Sequence, residues 1–200
     1  MTDLRTAAPS TRPAGSRGAR RSVGRWMVSF AGYPLGGYAA FLLTGRVDGP
    51  GPALSGGLLT GAVLGAVQVW AMWEARPRPL SWILATAVGM MAGVAIGAAL
   101  VDYRTDLGSL AVQGAVTGAL VGMAQSVVLA PRLGAMALAW PPVLSGSLAL
   151  GWAVTTAAGI DVDQQFTIFG SSGALVATLL TAVLPLALNR HHARGDAAAS

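Results

Sequence analysis

The sequence contains no cysteine and no lysine, and charged residues of either sign are scarce. The lack of cysteine excludes disulfides, thiolate catalysis and cysteine-ligated metal sites. Charged residues make up only 10% of the chain and hydrophobic residues 54%, whereas typical soluble domains are about 25% charged. A soluble fold of this length would have too little charge to cover its surface. The composition therefore indicates a membrane protein.

The apolar stretches also lack central ionisable residues. No Asp, Glu, Arg or His lies in the middle of any of them, although proton relays and ion-coupled transporters normally need such groups. The sequence has no Gly-rich phosphate loop, no HExxH and no GxSxG motif, which are common carriers of enzyme chemistry. We therefore expect a protein that is not an enzyme and that uses no metal or cofactor.

The sequence contains six apolar stretches, each long enough to cross about 30 Å of hydrocarbon as a helix. Helices are expected because open strands cannot satisfy their backbone groups in lipid. The stretches cover residues 26–45, 53–73, 81–101, 108–130, 138–159 and 167–188. The predicted fold class is an all-α integral membrane protein with six transmembrane helices in residues 26–188. A disordered Arg-rich tail, 1–25, precedes them, and a polar tail, 189–200, follows.

The arginines predict the orientation in the membrane. Eleven of the thirteen lie in the tails and in the loops after the even spans, and only Arg46 and Arg104 lie on the other side. The positive-inside rule then places both termini in the cytoplasm of a multi-pass membrane protein. Four tryptophans at the same ends of the spans fit an interfacial belt there; they are Trp26, Trp73, Trp82 and Trp140.

The net charge of +5 thus has a membrane explanation, and no nucleic-acid partner is expected. The partner that the charge predicts is the bilayer itself. Anionic lipid is a reasonable ligand for the N-terminal arginine tail, because polybasic cytoplasmic segments are attracted to such surfaces.

A helical hairpin of about 56 to 58 residues occurs three times. Trp26, Trp82 and Trp140 each open an odd-numbered span. The second and fourth spans match at five positions with one constant offset, and the sixth is a fainter copy. The matched residues are Gly57, Thr60, Gly61, Gly65 and Gln68, then Gly114, Thr117, Gly118, Gly122 and Gln125, with Gly173, Ala177, Thr181 and Leu184 in the faint copy. The repeats, 26–80, 81–137 and 138–188, predict three tandem hairpins around a pseudo-threefold axis.

Glycines at four-residue intervals lie on one face of a helix. Such ladders occur in the second, third and fourth spans, as Gly57, Gly61 and Gly65, then Gly89, Gly93 and Gly97, then Gly114, Gly118 and Gly122. Small residues let helix backbones approach closely in lipid. The sequence therefore predicts helix-packing surfaces of the glycine-zipper type.

Gln68 and Gln125 are the principal polar candidates within the spans, with Thr60 and Thr117 nearby. An unpaired amide in lipid is costly, so both glutamines should point into the bundle. One interpretation is interhelical hydrogen bonding, with each other or with Thr60, Thr117 or Ser126. The alternative is a polar constriction or solute contact.

Three aspartates, Asp48, Asp102 and Asp161, follow the three tryptophans at nearly equal intervals, just beyond the outer ends of the odd spans. Converging carboxylates could bind Ca²⁺ or concentrate cations at a vestibule. Aspartate is also common in loops and at helix starts, and that interpretation is the one we favour.

The duplicated residues Thr60-Gly61, Gly65 and Gln68, and Thr117-Gly118, Gly122 and Gln125, carry a resemblance. They resemble a group of small, uncharacterised bacterial multi-span membrane proteins with a duplicated T-G-x-x-x-G-x-x-Q-W-x-x-L-R pattern. The match covers about residues 55–150 and departs at the Trp place, where Val69 and Ser126 stand. It implies a multi-span bundle of the bacterial cytoplasmic membrane and no known activity. In size alone the chain is similar to substrate-binding components of energy-coupling-factor transporters.

Two functions remain open. The first is a non-enzymatic structural or accessory membrane protein that acts through close helix contacts, either as a homo-oligomer or with a membrane partner subunit. The second is a small channel or uptake component for a neutral or weakly polar solute, with Gln68 and Gln125 lining the path. We favour the first because of the glycine ladders and the absence of central charges.

Overall fold

The computed structural model describes residues 15–73, 78–160, 168 and 171–188, with side chains from residue 20 onwards. Every regular element in this part of the chain is helical. The α-helices are α1 (Gly15–Val28), α2 (Gly32–Thr44), α3 (Pro50–Ala71), α4 (Pro79–Leu100), α5 (Leu107–Leu133), α6 (Trp140–Ala157) and α7 (Ser171–Thr181). Short 3-10 segments, Ser29–Ala31 and Gly134–Ala139, join α1 to α2 and α5 to α6.

Among the described residues, five helical segments are long and apolar enough to cross a membrane. The fourth of them, Leu107–Ala157, contains both α5 and α6 and has 51 residues, which as one straight helix would be far longer than a bilayer is thick. The chain reverses within it, because Gly134 has a φ of +54° and α6 packs along α5. Each predicted apolar stretch falls on helical segments where the structure describes it.

The helices form a closed ring. Each helix from α2 to α6 packs against the next one in the chain. The last helix returns to the first, because α7 packs against α1, α2 and the Ser29–Ala31 turn between them. The ring therefore has an inner side, where the buried polar residues lie, and an apolar outer side.

Glycines set the close packing between neighbouring helices. A Cβ added at Gly61 of α3 would lie 2.7 Å from the Cα of Ala87 on α4, and one at Gly93 of α4 would lie 2.6 Å from the Cα of Thr117 on α5. All nine glycines of the three ladders meet the backbone of the following helix in this way. The ladders on α3, α4 and α5 are thus occupied by contacts within the chain.

The N-terminal segment differs from its prediction. Helix α1 begins at Gly15, so the prediction of a disordered tail over residues 1–25 is wrong for residues 15–25. The helix packs against α3 and α7, and Ser22 and Trp26 are buried. Tertiary packing therefore stabilises a segment whose composition alone does not favour order. Residues 1–14 and the predicted tail 189–200 lie outside the described residues.

Prolines explain two interruptions of the helices. Pro34 has no N–H to donate to the carbonyl of Phe30, and the chain passes through the 3-10 turn Ser29–Ala31 just before it. In the same way, α7 ends at Thr181, four residues before Pro185, and residues 183–188 continue as a short helical segment. The last predicted span is therefore a broken helix, and its predicted start at residue 167 lies outside the described residues.

Helix α5 has a capped N-terminus. Asp106 accepts a hydrogen bond from the backbone N–H of Ser109 at 3.1 Å and another from the Ser109 hydroxyl. These bonds hold the pKa of Asp106 below its ordinary value of 3.8. Because the pKa is lowered in the folded protein, the contribution of Asp106 to stability is present above the ordinary pKa and is lost as the pH falls below it.

We expect Asp106→Asn to retain the cap but to remove this pH dependence, because asparagine is an equally good cap without a charge. Thermal unfolding of the wild type and the variant in the same detergent at pH 7 and pH 3 measures the difference. The wild type should lose more stability than Asp106→Asn between the two pH values. An equal loss would contradict the assignment of Asp106 as the cap.

Candidate functional site

Gln125 of α5 is the centre of a buried hydrogen-bond network inside the ring. Its Oε1 accepts from the indole Nε1 of Trp140 at 2.7 Å, and its Nε2 donates to the hydroxyl of Thr86 at 2.8 Å. Thr86 in turn donates to the carbonyl of Trp82 at 2.8 Å. The Gln125 side chain thus links α4, α5 and α6 at one level of the ring.

Gln68 of α3 occupies a matching position. Its Oε1 accepts from the indole Nε1 of Trp82 at 3.0 Å. The Nε2 of Gln125 lies 3.5 Å from the same oxygen, which is the outer limit of a hydrogen bond. Because an indole N–H can only donate, each tryptophan fixes which end of the amide faces it.

Trp26 makes the corresponding bonds between α1 and α7. Its Nε1 lies 3.1 Å from the carbonyl of Thr178 and 3.2 Å from the hydroxyl of Thr181, both on α7. The three tryptophans that open the odd-numbered spans therefore each donate to a polar acceptor on another helix. For Trp26, a threonine and a backbone carbonyl stand where the other two tryptophans have glutamine.

The prediction of an interfacial tryptophan belt is wrong for three of the four residues. Trp26, Trp82 and Trp140 are at most 6% exposed and point into the ring, whereas Trp73 is 58% exposed. The indole N–H groups find buried acceptors, which is the usual requirement when tryptophan is buried. A signal was present in the sequence, because Gln68 and Gln125 each precede a tryptophan at almost the same interval.

The predicted threonine and serine partners of the glutamines bond elsewhere. Thr60 donates to the carbonyl of Gly36 on α2 at 3.3 Å. Thr117 donates to the carbonyl of Gln113 within its own helix at 2.7 Å, and Ser126 donates to the carbonyl of Ala137 at 2.7 Å. Of the polar candidates, only Gln68 and Gln125 belong to the network with the indoles.

The outer aspartates are not brought together with a ligand set. Asp48 and Asp102 are exposed, and Asp102 lies in a left-handed turn with a φ of +53°. Asp161 lies outside the described residues. Where the structure describes the chain, no three His, Cys, Asp or Glu side chains come close enough to hold a metal ion. The aspartate that caps a helix is Asp106, which no sequence pattern singled out.

The third repeat contains three buried hydroxyl groups that lie outside the glutamine network. The hydroxyls of Thr155 on α6 and of Ser172 and Thr178 on α7 are buried without a hydrogen-bond partner among the described residues. Thr155 and Thr178 are each 1% exposed. Buried hydroxyls are normally paired, so this is the place in the ring with unused hydrogen-bonding capacity.

The network consists of neutral side chains, namely amides, indoles and hydroxyls. Such groups donate and accept hydrogen bonds, but none of them titrates near neutral pH. The arrangement can therefore hold helices together or contact a neutral polar solute.

Comparison of the chain with protein-family models, curated proteins and solved structures finds no significant match. The functional assignment therefore rests on the geometry of the ring and its network.

Proposed function

We propose that the protein is a non-enzymatic integral membrane protein of structural or accessory type. Its core is a six-helix ring, in which α1 and α2 together count as the first helix. Glycine contacts and an amide–indole network hold the ring together. In this proposal the segment Leu107–Ala157 crosses the membrane twice, because α5 and α6 fold back on each other at Gly134. Both termini lie in the cytoplasm of a bacterial cell, as the positive-inside rule favours.

The outer surface of the ring supports the membrane assignment. Large apolar side chains are well exposed on every long helix, for example Leu43, Leu100, Val127 and Leu179 at 63% to 75%. Soluble monomers rarely expose so much contiguous apolar surface. A bilayer accounts for it without further partners.

Equivalent contacts support the proposal of tandem hairpins. The glycine ladder on α3, Gly57, Gly61 and Gly65, meets α4 at Met90, Ala87 and Ile83. The repeat-equivalent ladder on α5, Gly114, Gly118 and Gly122, meets α6 at Leu148, Ser145 and Pro141. These α6 residues are the α4 residues shifted by one repeat, all three by the same interval. The same packing between one repeat and the next thus occurs twice, and the bonds of Trp26 to α7 are the counterpart between the last repeat and the first.

The observation that carries the accessory function is that both glutamine side chains are buried and hydrogen-bonded within the ring. The polar groups expected to line a path for a solute, Gln68 and Gln125, are at most 5% exposed and are bonded to Trp82, Trp140 and Thr86. Polar groups that already bond one another stabilise a bundle and offer little to a passing solute. Because the glycine ladders are also used within the chain, association with a second copy or a partner has to use the outer face.

A small channel or uptake component for a neutral or weakly polar solute is the second candidate. It is favoured by the unpartnered hydroxyls of Thr155, Ser172 and Thr178 between α6 and α7. A solute hydroxyl or a water could use them.

Native mass spectrometry of the protein released in its own membrane patches, combined with solute flux into liposomes, separates the two. The accessory function predicts a second polypeptide or a second copy in fixed ratio and no flux above that of empty liposomes. A solitary protein that conducts glycerol or a similar neutral solute, with conduction lost in Thr155→Val and retained in Thr117→Val, would overturn it.

A further inference from the structure

A cleft lies between the start of α4 and the end of α5, on the outer side of the ring. Its volume is about 440 Å³, and it is lined by Arg78, Ser81, Val127, Val128, Pro131 and Arg132. It lies at the end of the helices where the tryptophan network is found, which is the cytoplasmic end in the proposed orientation.

The cleft opens beyond the end of the glycine ladder on α4. The last glycine toward this end is Gly89, where an added Cβ would lie 2.7 Å from the Cα of Val121 on α5. At the next two four-residue steps along α4 the residues are Ala85 and Ser81. Their side chains do not allow α4 and α5 to approach as closely as they do at Gly89. Pro131 also removes a backbone donor near the end of α5.

The polar end of the cleft is positive. Arg78 and Arg132 are both exposed at its mouth, and arginine stays charged at any physiological pH. Helix α4 begins at Pro79, directly after Arg78, so the positive end of its dipole lies near the mouth of the cleft. Two guanidinium groups and a helix N-terminus are suited to bind a phosphate.

The remaining wall of the cleft is apolar and continues along the helices. Val127 is 75% exposed, and Met123, one turn further along α5, is 49% exposed. On α4, Leu84 and Val88 follow Ser81 on the same face and are about half exposed. A positive mouth above an apolar track matches a molecule with a phosphate at one end and a hydrocarbon chain at the other.

We infer that this cleft binds an anionic phospholipid of the cytoplasmic leaflet, with its phosphate held by Arg78 and Arg132 and an acyl chain along Val127 and Leu84. The inference rests on the membrane placement proposed above. The site is distinct from the N-terminal arginines, because Arg20 and Arg21 belong to α1 and do not line the cleft.

The test uses the full chain in nanodiscs of phosphatidylcholine with a minor fraction of phosphatidylglycerol, and counts retained lipids by native mass spectrometry. We expect the wild type to retain one phosphatidylglycerol in preference to phosphatidylcholine. The double variant Arg78→Gln, Arg132→Gln should bind it at least about tenfold more weakly, because charge-assisted hydrogen bonds are lost. The matched control, Arg20→Gln with Arg21→Gln, removes the same charge at the same end and should retain the lipid.

Three results would overturn the inference. They are equal retention of the two lipids by the wild type, equal weakening in the control variant, and competition by inorganic phosphate at the affinity of the lipid. The last result would make the ligand a soluble phosphate. Thermal unfolding confirms that each variant is folded, and Arg78→Lys with Arg132→Lys should restore part of the binding. A wild type that fails to enter nanodiscs would instead contradict the membrane placement itself.

Discussion

Gly93→Ala should destabilise the protein by about 1–3 kcal/mol, as over-packing of a tight contact does. Its Cβ would lie 2.6 Å from the Cα of Thr117 and 3.1 Å from the Thr117 carbonyl oxygen. Both atoms belong to the backbone, so α4 and α5 have to move apart along the whole ladder. Equilibrium unfolding in mixed detergent micelles measures the loss.

Gly146→Ala is the matched control for this substitution. Gly146 lies inside α6, and an added Cβ would meet nothing within 4 Å. Alanine is the better helix former, so this variant should be neutral or slightly stabilising, by up to about 1 kcal/mol. Equal losses in Gly93→Ala and Gly146→Ala would show that the ladders do not hold the ring together.

Gln125→Leu should cost about 2 kcal/mol, because it removes two good hydrogen bonds and leaves the buried indole N–H of Trp140 without its acceptor. The volume of the side chain changes little, so the loss reports hydrogen bonding rather than packing. Unfolding under the same conditions as above measures it, and retention of the helical signal shows that the variant still folds.

A double-mutant cycle isolates the bond to Trp140. Trp140→Phe removes the indole N–H, so Gln125→Leu should then cost about 1 kcal/mol less than in the wild type. The same cost in both backgrounds would mean that the indole–amide bond contributes nothing. In that case the accessory function would lose part of the observation that carries it, and the channel would gain weight.

The helices and their glycine faces could be predicted from the sequence because both follow from short-range patterns. The length of an apolar run and the four-residue spacing of Gly89, Gly93 and Gly97 need no knowledge of distant residues. The chain reversal near Gly134 could be predicted for the same reason, because the short segment around Arg132 separates two apolar runs.

The partners of the glutamines could not be predicted in the same way. A tryptophan at a helix end fits two situations equally well, namely exposure in an interfacial belt and burial beside a hydrogen-bond acceptor. Which of the two occurs depends on which face of the helix points into the bundle. For Trp26 the acceptors are 152 and 155 residues away in sequence. Only closure of the ring brings them together.

Helix α1 was missed for a related reason. Its first residues are rich in arginine, glycine and serine, and such a composition by itself favours disorder. The segment is helical because Trp26 is anchored on α7 and Ser22 is buried. Long-range packing thus decides the structure of a segment that has little intrinsic preference.

Chemical labelling of single introduced cysteines tests whether the ring spans a membrane. The protein is suited to this measurement because its sequence contains no cysteine. Asp48→Cys, Asp102→Cys and Met136→Cys place a thiol at three exposed turns. A membrane-impermeant maleimide applied to intact cells should label the first two, and should label Met136→Cys only after the cells are permeabilised. Labelling of Met136→Cys in intact cells together with Asp102→Cys would mean that α5 does not cross the membrane, and would contradict the six-helix ring as a membrane-spanning structure.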